Sequence, residues 1–120
     1  MKILFVCTGN TCRSPFAEGL ARRLASERGM SVEFDSAGEQ AREGAHCPPE
    51  AVATARRHGV DLSAHRARRL TVEQRADADE VVELFDVQDP IGGGAGAYRK
   101  SYEDLREKVG GLLGRIGGSA

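Results

Sequence analysis

The chain has 120 residues, with 17 basic and 18 acidic side chains and a formal net charge of -1 at pH 7. This length predicts a single domain over residues 1–120, and the balanced charge gives no reason to expect a nucleic acid or an acidic membrane surface as a partner. No apolar run approaches the roughly 20 residues of a membrane span, and the run after Lys2 is too short for a signal peptide. Because the three cysteines are an odd number, a disulfide framework is not expected. We therefore expect a cytoplasmic protein that binds neither nucleic acid nor a membrane.

The first predicted elements are a strand, a tight loop and a helix. Residues 2–6 form an apolar run typical of a buried parallel strand, and a helix is expected from Pro15 to Glu27, followed by Gly29. Gly9 and Asn10 tolerate the unusual backbone conformations that a tight loop between the strand and the helix requires. Backbone N–H groups of such a loop and of the first helical turn converge, and the helix dipole adds positive potential. We therefore predict a phosphate-binding loop over residues 7–14, called the phosphate loop below.

Two side chains make this loop a candidate for covalent chemistry. Cys7 lies at the strand end, where the N–H groups favour the thiolate, which is a nucleophile towards phosphorus. Arg13 can present its planar fork to two phosphate oxygens, and Ser14 can donate to the thiolate or act as the helix N-cap. Each residue alone is ordinary, but their spacing together points to a reactive site. A nucleotide-binding glycine loop is excluded, because the required Lys-Ser or Lys-Thr pair and the Gly-x-Gly-x-x-Gly pattern are missing.

The rest of the chain alternates strands and helices. Residues 31–36 alternate apolar and polar side chains as a second strand, and residues 50–58 predict a short helix. The spacing from Thr71 to Gln74 is that of a capping box, and residues 79–84 predict a third strand. Residues 101–116 predict a C-terminal helix capped by Ser101, with residues 117–120 expected to fray. This alternation predicts a three-layer α/β fold.

The segment from Cys7 to Pro15 resembles the phosphate-binding loop of the low-molecular-weight protein tyrosine phosphatase family. The similarity continues through residues 35–38, residues 61–70 and the Asp89-Pro90 pair. This resemblance implies a protein phosphatase that needs no metal or cofactor, forms a phosphocysteine and acts on phosphorylated proteins. Catalysis would rest on Cys7, Arg13 and Asp89, since a carboxyl group can protonate the leaving atom and then accept a proton from water. The phosphate-binding set would be completed by Thr8, Gly9, Asn10, Thr11, Cys12 and Ser14.

The resemblance also implies supporting residues. Ser36 and His65 would brace the phosphate loop through Asn10. Cys12 would be able to trap an oxidised Cys7 as a reversible disulfide, although a small residue packed behind the loop is an equal alternative. Cys47 has the pattern of an incidental loop thiol, and its pairing with His46 is weak evidence for a metal.

The chain departs from the family after its third strand. Family members usually carry a further helix and a fourth strand, whereas here only residues 85–88 separate Leu84 from Asp89. The remaining sheet is expected to have about three strands in the order 2-1-3, with an open edge and a monomeric or weakly dimeric state. Four glycines among residues 92–96 predict a mobile flap over residues 89–98, in which Tyr98 either lines the pocket or anchors the flap.

The substrate is predicted from fewer residues. Thr11 and the glycine-rich segment resemble the bacterial protein-arginine phosphatase branch, because tyrosine-directed members generally have a bulkier aliphatic residue at that loop position. Ile91 departs from both branches, which tend to have an aromatic residue there. Because Thr11 and the glycine-rich segment both resemble the protein-arginine phosphatase branch, phosphoarginine is favoured over phosphotyrosine. The alternatives are a phosphate-binding or regulatory member that lost catalysis and, less favoured, an arsenate reductase, which would need a further cysteine pair after Cys47.

Overall fold

The computed structural model describes residues 1–117, which form a parallel β-sheet with helices on both faces. The strands are β1 (Lys2–Cys7), β2 (Glu33–Gly38) and β3 (Glu80–Glu83). The helices are α1 (Arg13–Glu27), α2 (Pro49–Arg57), α3 (Val72–Asp77) and α4 (Gly94–Ile116). The strand order β2-β1-β3 confirms the predicted three-strand sheet. The prediction for residues 118–120 lies outside the described residues.

The central strand β1 is apolar because it is buried on both faces. Ile3 and Phe5 point to one face of the sheet, and Leu4 and Val6 point to the other. Phe5 lies opposite Ser36 of β2 on one side and opposite Val82 of β3 on the other. In parallel strands the carboxyl ends share one edge, so β1 delivers Cys7 to the same edge as the ends of β2 and β3.

The hydrophobic clusters on the two faces of the sheet differ in size. The main core joins Ile3 and Phe5 to α1, α2 and α4, and the rings of Phe16 and Tyr102 stack within it at a centroid distance of 4.0 Å. On the opposite face, Leu4 and Val6 belong to a small cluster that also contains Ala37, Leu70, Ala78 and Val81. The helix on that side, α3, has the predicted capping box at Thr71 but no buried residue. The site-bearing edge is therefore held mainly by α1 and α4.

Two of the predicted boundaries near the phosphate loop are wrong. The second strand begins at Glu33 instead of residue 31, because Glu33 is the residue that pairs with Lys2 of β1. The N-cap of α1 is Cys12, which makes no side-chain capping bond, and Ser14 lies inside the helix. The hydroxyl of Ser14 is engaged by Cys7 and Asn10, so it cannot cap the helix.

The C-terminal helix begins seven residues earlier than predicted, at Gly94 instead of Ser101. Residues 94–98 are therefore helical, and the predicted mobile flap over 89–98 is wrong for that part. Burial of Tyr98 and Ser101 against the core stabilises these first turns despite their glycines. Ser101 is not the cap, and its buried Oγ has no hydrogen-bond partner among the described residues.

Candidate active site

The sulfur of Cys7 lies at the centre of three hydrogen-bond donors. Its Sγ is 2.9 Å from the Oγ of Ser14, 3.3 Å from the backbone N of Asn10 and 3.4 Å from the backbone N of Ser14. Because the Oγ of Ser14 accepts a bond from the Asn10 amide at 2.8 Å, its own proton is free to point at Cys7. The sulfur at the end of β1 is therefore surrounded by one hydroxyl group and two backbone N–H groups.

Asn10 organises the loop from within. Its φ of 55° is the left-handed conformation expected for this position, and the residue is fully buried. The Nδ2 group donates to Ser14 at 2.8 Å and to Ser36 at 2.9 Å, while Oδ1 accepts from the backbone N–H of Arg68 at 2.9 Å. The Nε2 of His65 lies 2.9 Å from the Asn10 carbonyl oxygen. The structure thus brings the predicted residues Ser36 and His65 to Asn10.

A buried carboxylate that the sequence analysis did not single out extends this network. The Oγ of Ser36 donates to Glu18, and the other oxygen of Glu18 is 2.6 Å from the guanidinium of Arg22. Glu18 is buried even though it is charged. Its signal in the sequence is its place in α1, one turn after Ser14 and on the face that also buries Ala21 and Ala25.

Arg13 is buried and held by backbone and side-chain oxygens. The guanidinium, in a residue only 5% exposed, donates from Nη1 to the carbonyl oxygens of Val87 at 2.8 Å and Leu84 at 3.4 Å. Its Nη2 is 3.2 Å from the Oγ1 of Thr8 and 3.5 Å from a carboxylate oxygen of Asp89. These bonds hold Arg13 beside a cavity that Cys7 and Thr8 also line.

Asp89 lies at the mouth of the same cavity. Its side chain is 43% exposed, and its Oδ1 accepts the backbone N–H of Ile91 at 3.2 Å. In this arrangement the carboxylate faces Arg13, so a bound phosphate would replace Asp89 as the partner of the guanidinium. The cavity has a volume of about 160 Å³ and is lined by Cys7, Thr8, Gly9, Thr11, Cys12, Arg13, Asp89 and Ile91.

Cys12 is attached to helix α4. Its Sγ lies 3.3 Å from the hydroxyl of Tyr98, and its carbonyl oxygen accepts a bond from the hydroxyl of Tyr102 at 2.8 Å. Burial raises the pKa of the Cys12 thiol, which the Tyr98 hydrogen bond partly offsets. Tyr98 is fully buried behind the loop and does not line the cavity, so of its two predicted roles it takes the anchoring one.

Cys47, interpreted from the sequence as an incidental loop thiol, lies in the loop before α2 and is buried. It is buried in the main core cluster together with Cys12, because residues 47 and 48 lead directly into α2. Burial raises the pKa of its thiol to about 12. Cys7, Cys12 and Cys47 are all free thiols here, and the redox role of Cys12 stays a prediction.

A second surface cavity is larger than the cavity at the phosphate loop, but its lining is less suited to binding an anion. It has a volume of about 390 Å³ and lies beside β2. Its cations are each paired with a carboxylate: Lys2 with Asp77, Arg22 with Glu18, and Arg68 with Asp35. Among residues 1–117, no group of three or more His, Cys, Asp or Glu side chains is arranged to hold a metal ion, and no helix is long and apolar enough to cross a membrane. We therefore place the candidate site at the phosphate loop.

Comparisons with known proteins find related proteins that match most of this chain. Residues 2–86 match the family model described as low molecular weight phosphotyrosine protein phosphatase. The chain is 37% identical to the protein-arginine-phosphatase of Bacillus subtilis over 97% of its own length and 77% of that protein. It is 30% identical to the low molecular weight protein-tyrosine-phosphatase PtpB of Staphylococcus haemolyticus over 93% of its own length and 97% of that protein.

Solved structures of related proteins have the same fold as this chain. One is a cysteine-to-serine mutant of the YwlE arginine phosphatase with a phosphorylated active-site serine, which aligns with a TM-score of 0.92 and 29% identity over 99% of this chain and 97% of that one.

The sequence alignment with PtpB runs over 138 residues, which exceeds the 120 residues of this chain. It therefore contains positions at which only the relative has a residue.

Proposed function

The chain belongs to the low molecular weight phosphotyrosine protein phosphatase family, and we propose that it hydrolyses phosphorylated side chains of proteins through a phosphocysteine at Cys7. The observation that carries this proposal is the donor set around the Cys7 sulfur, at 2.9 to 3.4 Å, in the same cavity as Arg13 and Asp89. A thiolate held by donors next to a guanidinium is suited to attack the phosphorus of a bound phosphoryl group.

In the first step, the phosphoryl group binds between the loop N–H groups and Arg13. The Cys7 thiolate forms the S–P bond while the bond from phosphorus to the substrate nitrogen or oxygen breaks. Asp89 gives its proton to the leaving atom, which departs with the bonding electrons. The loop N–H groups and the Nη2 edge of Arg13 hold the phosphoryl oxygens, where negative charge concentrates.

In the second step, water hydrolyses the phosphocysteine. Asp89, now a carboxylate, accepts a proton from the attacking water, the S–P bond breaks, and inorganic phosphate leaves with Cys7 restored as a thiolate. Ser14 supports this departure because its hydroxyl lies 2.9 Å from the sulfur. Each residue thus ends the cycle as it began, and no metal or cofactor takes part.

Phosphoarginine is the substrate we favour over phosphotyrosine. The cavity walls near the mouth are Thr11, Asp89 and Ile91, so an entering side chain meets oxygen acceptors and an aliphatic residue instead of an aromatic ring. A phosphoguanidinium has several N–H donors for these acceptors, whereas the ring of phosphotyrosine has none. We also keep the proposal that the connection between β3 and Asp89 is shortened, since only residues 84–88 separate the two.

The test is phosphate release from phosphoarginine and phosphotyrosine, measured side by side near neutral pH with a chelator present. Wild type is compared with Cys7→Ser and Asp89→Ala. We expect turnover to vanish in Cys7→Ser, and to fall by about 10² to 10⁴ in Asp89→Ala with phosphate trapped on Cys7, visible by intact mass. A faster rate on phosphoarginine supports the substrate assignment.

Three results would contradict parts of this proposal. Turnover that persists in Cys7→Ser would refute the cysteine mechanism. A faster rate on phosphotyrosine would reverse the substrate assignment without affecting the mechanism. No turnover of either compound by folded wild type that still binds phosphate would make this chain a phosphate-binding member of the family.

A further inference from the structure

Arg13 is positioned by a short turn that directly follows β3. Residues 84–87, called the 84–87 turn, are closed by a hydrogen bond from the backbone N–H of Val87 to the carbonyl oxygen of Leu84 at 3.1 Å. Those same two residues supply the carbonyl oxygens that accept the Nη1 bonds of Arg13. Since Nη1 has two N–H groups and two partners in the turn, Nη2, which contacts Thr8 and Asp89, is the nitrogen that faces the cavity.

The turn is fixed at both ends and in its middle. Leu84 and Val87 are buried in the main core, and the backbone N–H of Leu84 continues the ladder to Val6 at 2.8 Å. In the middle, the carboxylate of Asp86 lies 2.7 Å from the ammonium group of Lys108 on α4. The Lys108 hydrogen bond also lowers the pKa of Asp86, so this pair is charged at neutral pH.

We propose that the Asp86–Lys108 pair is a positioning device for Arg13, which sets the affinity for phosphate from outside the cavity. This inference rests on the proposed function only for its relevance to catalysis, because phosphate binding is measured without turnover. Neither side chain lines the cavity, and both act through the carbonyl groups of the 84–87 turn. Helix α4 therefore controls the orientation of the guanidinium through its ion pair to the turn.

A second ion pair provides a matched control. Arg115, on the same helix, pairs with Glu80 at the start of β3, at the end of that strand far from the turn. Lys108→Ala and Arg115→Ala each remove one positive charge and one tie from α4. A general loosening of the helix would affect both variants alike, whereas positioning of Arg13 would affect only Lys108→Ala.

Asp86→Asn separates positioning from simple attraction. Removing this negative charge would strengthen phosphate binding if charge acted only through space. Removing the tie to Lys108 would weaken phosphate binding if the pair holds the turn. The two explanations therefore predict opposite signs for Asp86→Asn but the same sign for Lys108→Ala.

The experiment measures the dissociation constant of inorganic phosphate by calorimetry at constant ionic strength. We expect Lys108→Ala, Asp86→Asn and the double variant each to weaken binding by about threefold to fivefold, the effect of one exposed ion pair, with Lys108→Arg restoring it. Arg115→Ala is expected to bind like wild type. Alkylation of Cys7 by iodoacetamide without phosphate is expected to keep its rate in all variants, because none of them changes Asn10 or Ser14, whose groups donate to the Cys7 sulfur.

A glycine inserted between Asp86 and Val87 is the stronger perturbation. It displaces the Val87 carbonyl from Arg13, and we expect phosphate binding about tenfold weaker, with folding checked by thermal unfolding. Unchanged binding in a folded insertion variant would overturn the proposal. Tighter binding by Asp86→Asn, or equal losses in Lys108→Ala and Arg115→Ala, would also overturn it. Wild type that binds phosphate without turning over either substrate would defeat the proposed function alone.

Discussion

The phosphate loop is held by different kinds of contact on its two sides. On the β2 side, short polar side chains carry the contacts, with Asn10 bonded to Ser36 and to His65. On the α4 side, the contacts come from the carbonyl groups of the 84–87 turn and from the hydroxyls of two tyrosines. The first side is a hydrogen-bond network centred on the buried residues Asn10 and Ser36, and the second joins the loop to the 84–87 turn and to α4.

This difference predicts that changes on one side of the loop affect mainly stability and changes on the other side affect mainly function. A buried network that loses a member leaves polar groups without partners, so changes on the β2 side should lower the free energy of unfolding. The α4 side positions Arg13 and carries Asp89, so changes there should alter phosphate binding and turnover more than folding. The first two predictions below test that separation and the third tests a buried thiol outside both sides, in order from the largest expected effect to the smallest.

Asn10→Ala is expected to lower the free energy of unfolding by about 3 kcal/mol, as measured by urea denaturation. The variant leaves the hydroxyls of Ser14 and Ser36 and the N–H of Arg68 without their amide partner, and places alanine at a φ of 55°. Asn10→Gly is the matched control, because glycine accepts this φ but also lacks the amide. A variant Asn10→Gly as stable as wild type would contradict the network.

Tyr102→Phe is expected to cost less, about 1 kcal/mol of unfolding free energy. It removes the hydroxyl that donates to the Cys12 carbonyl at 2.8 Å but keeps the ring stacked on Phe16. Tyr98→Phe is the control, with a smaller cost because its hydroxyl meets a sulfur, a weaker hydrogen-bonding group, at 3.3 Å. A loss in Tyr102→Phe as large as in Asn10→Ala would remove the distinction between the two sides.

Alkaline pH is expected to destabilise the protein through its buried thiols. Burial raises the pKa of Cys47 to about 12, so the folded state keeps a proton that the unfolded state releases above about 8.5. Stability from this group is complete below pH 8.5 and is lost as the pH rises towards 12. Between pH 7.5 and 9 we expect a loss of up to about 1 kcal/mol that Cys47→Ala reduces, as measured by urea denaturation at each pH. An identical slope in Cys47→Ala would contradict this assignment.

The sequence predicted the β2 side well because its contacts are made by side chains. The family resemblance of residues 7–15 implied that Asn10 is braced by Ser36 and His65, and the strand order follows from parallel neighbours. Glu18 was missed because a glutamate in a helix is usually exposed, and only the packing of α1 on β2 shows that it is buried.

The α4 side was predicted less well because backbone atoms carry much of it. A carbonyl group belongs to every residue, so no residue type marks Leu84 or Val87 as a partner of Arg13. The glycines at 94 and 96 indicated a flap, but burial of Tyr98 against the core outweighs their low helix propensity. Local preference therefore failed where tertiary contacts decided the helix start.

The bond between Tyr102 and the Cys12 carbonyl also bears on how the protein folds. It joins residues 90 positions apart, so helix α4 completes a loop that is encoded far from it in the sequence. Contacts of such separation close late, because the chain must first pay the entropy of a long loop. During synthesis the phosphate loop is thus expected to stay open until α4 emerges, so the nascent protein gains its reactive cysteine site only after about 90 further residues have been added.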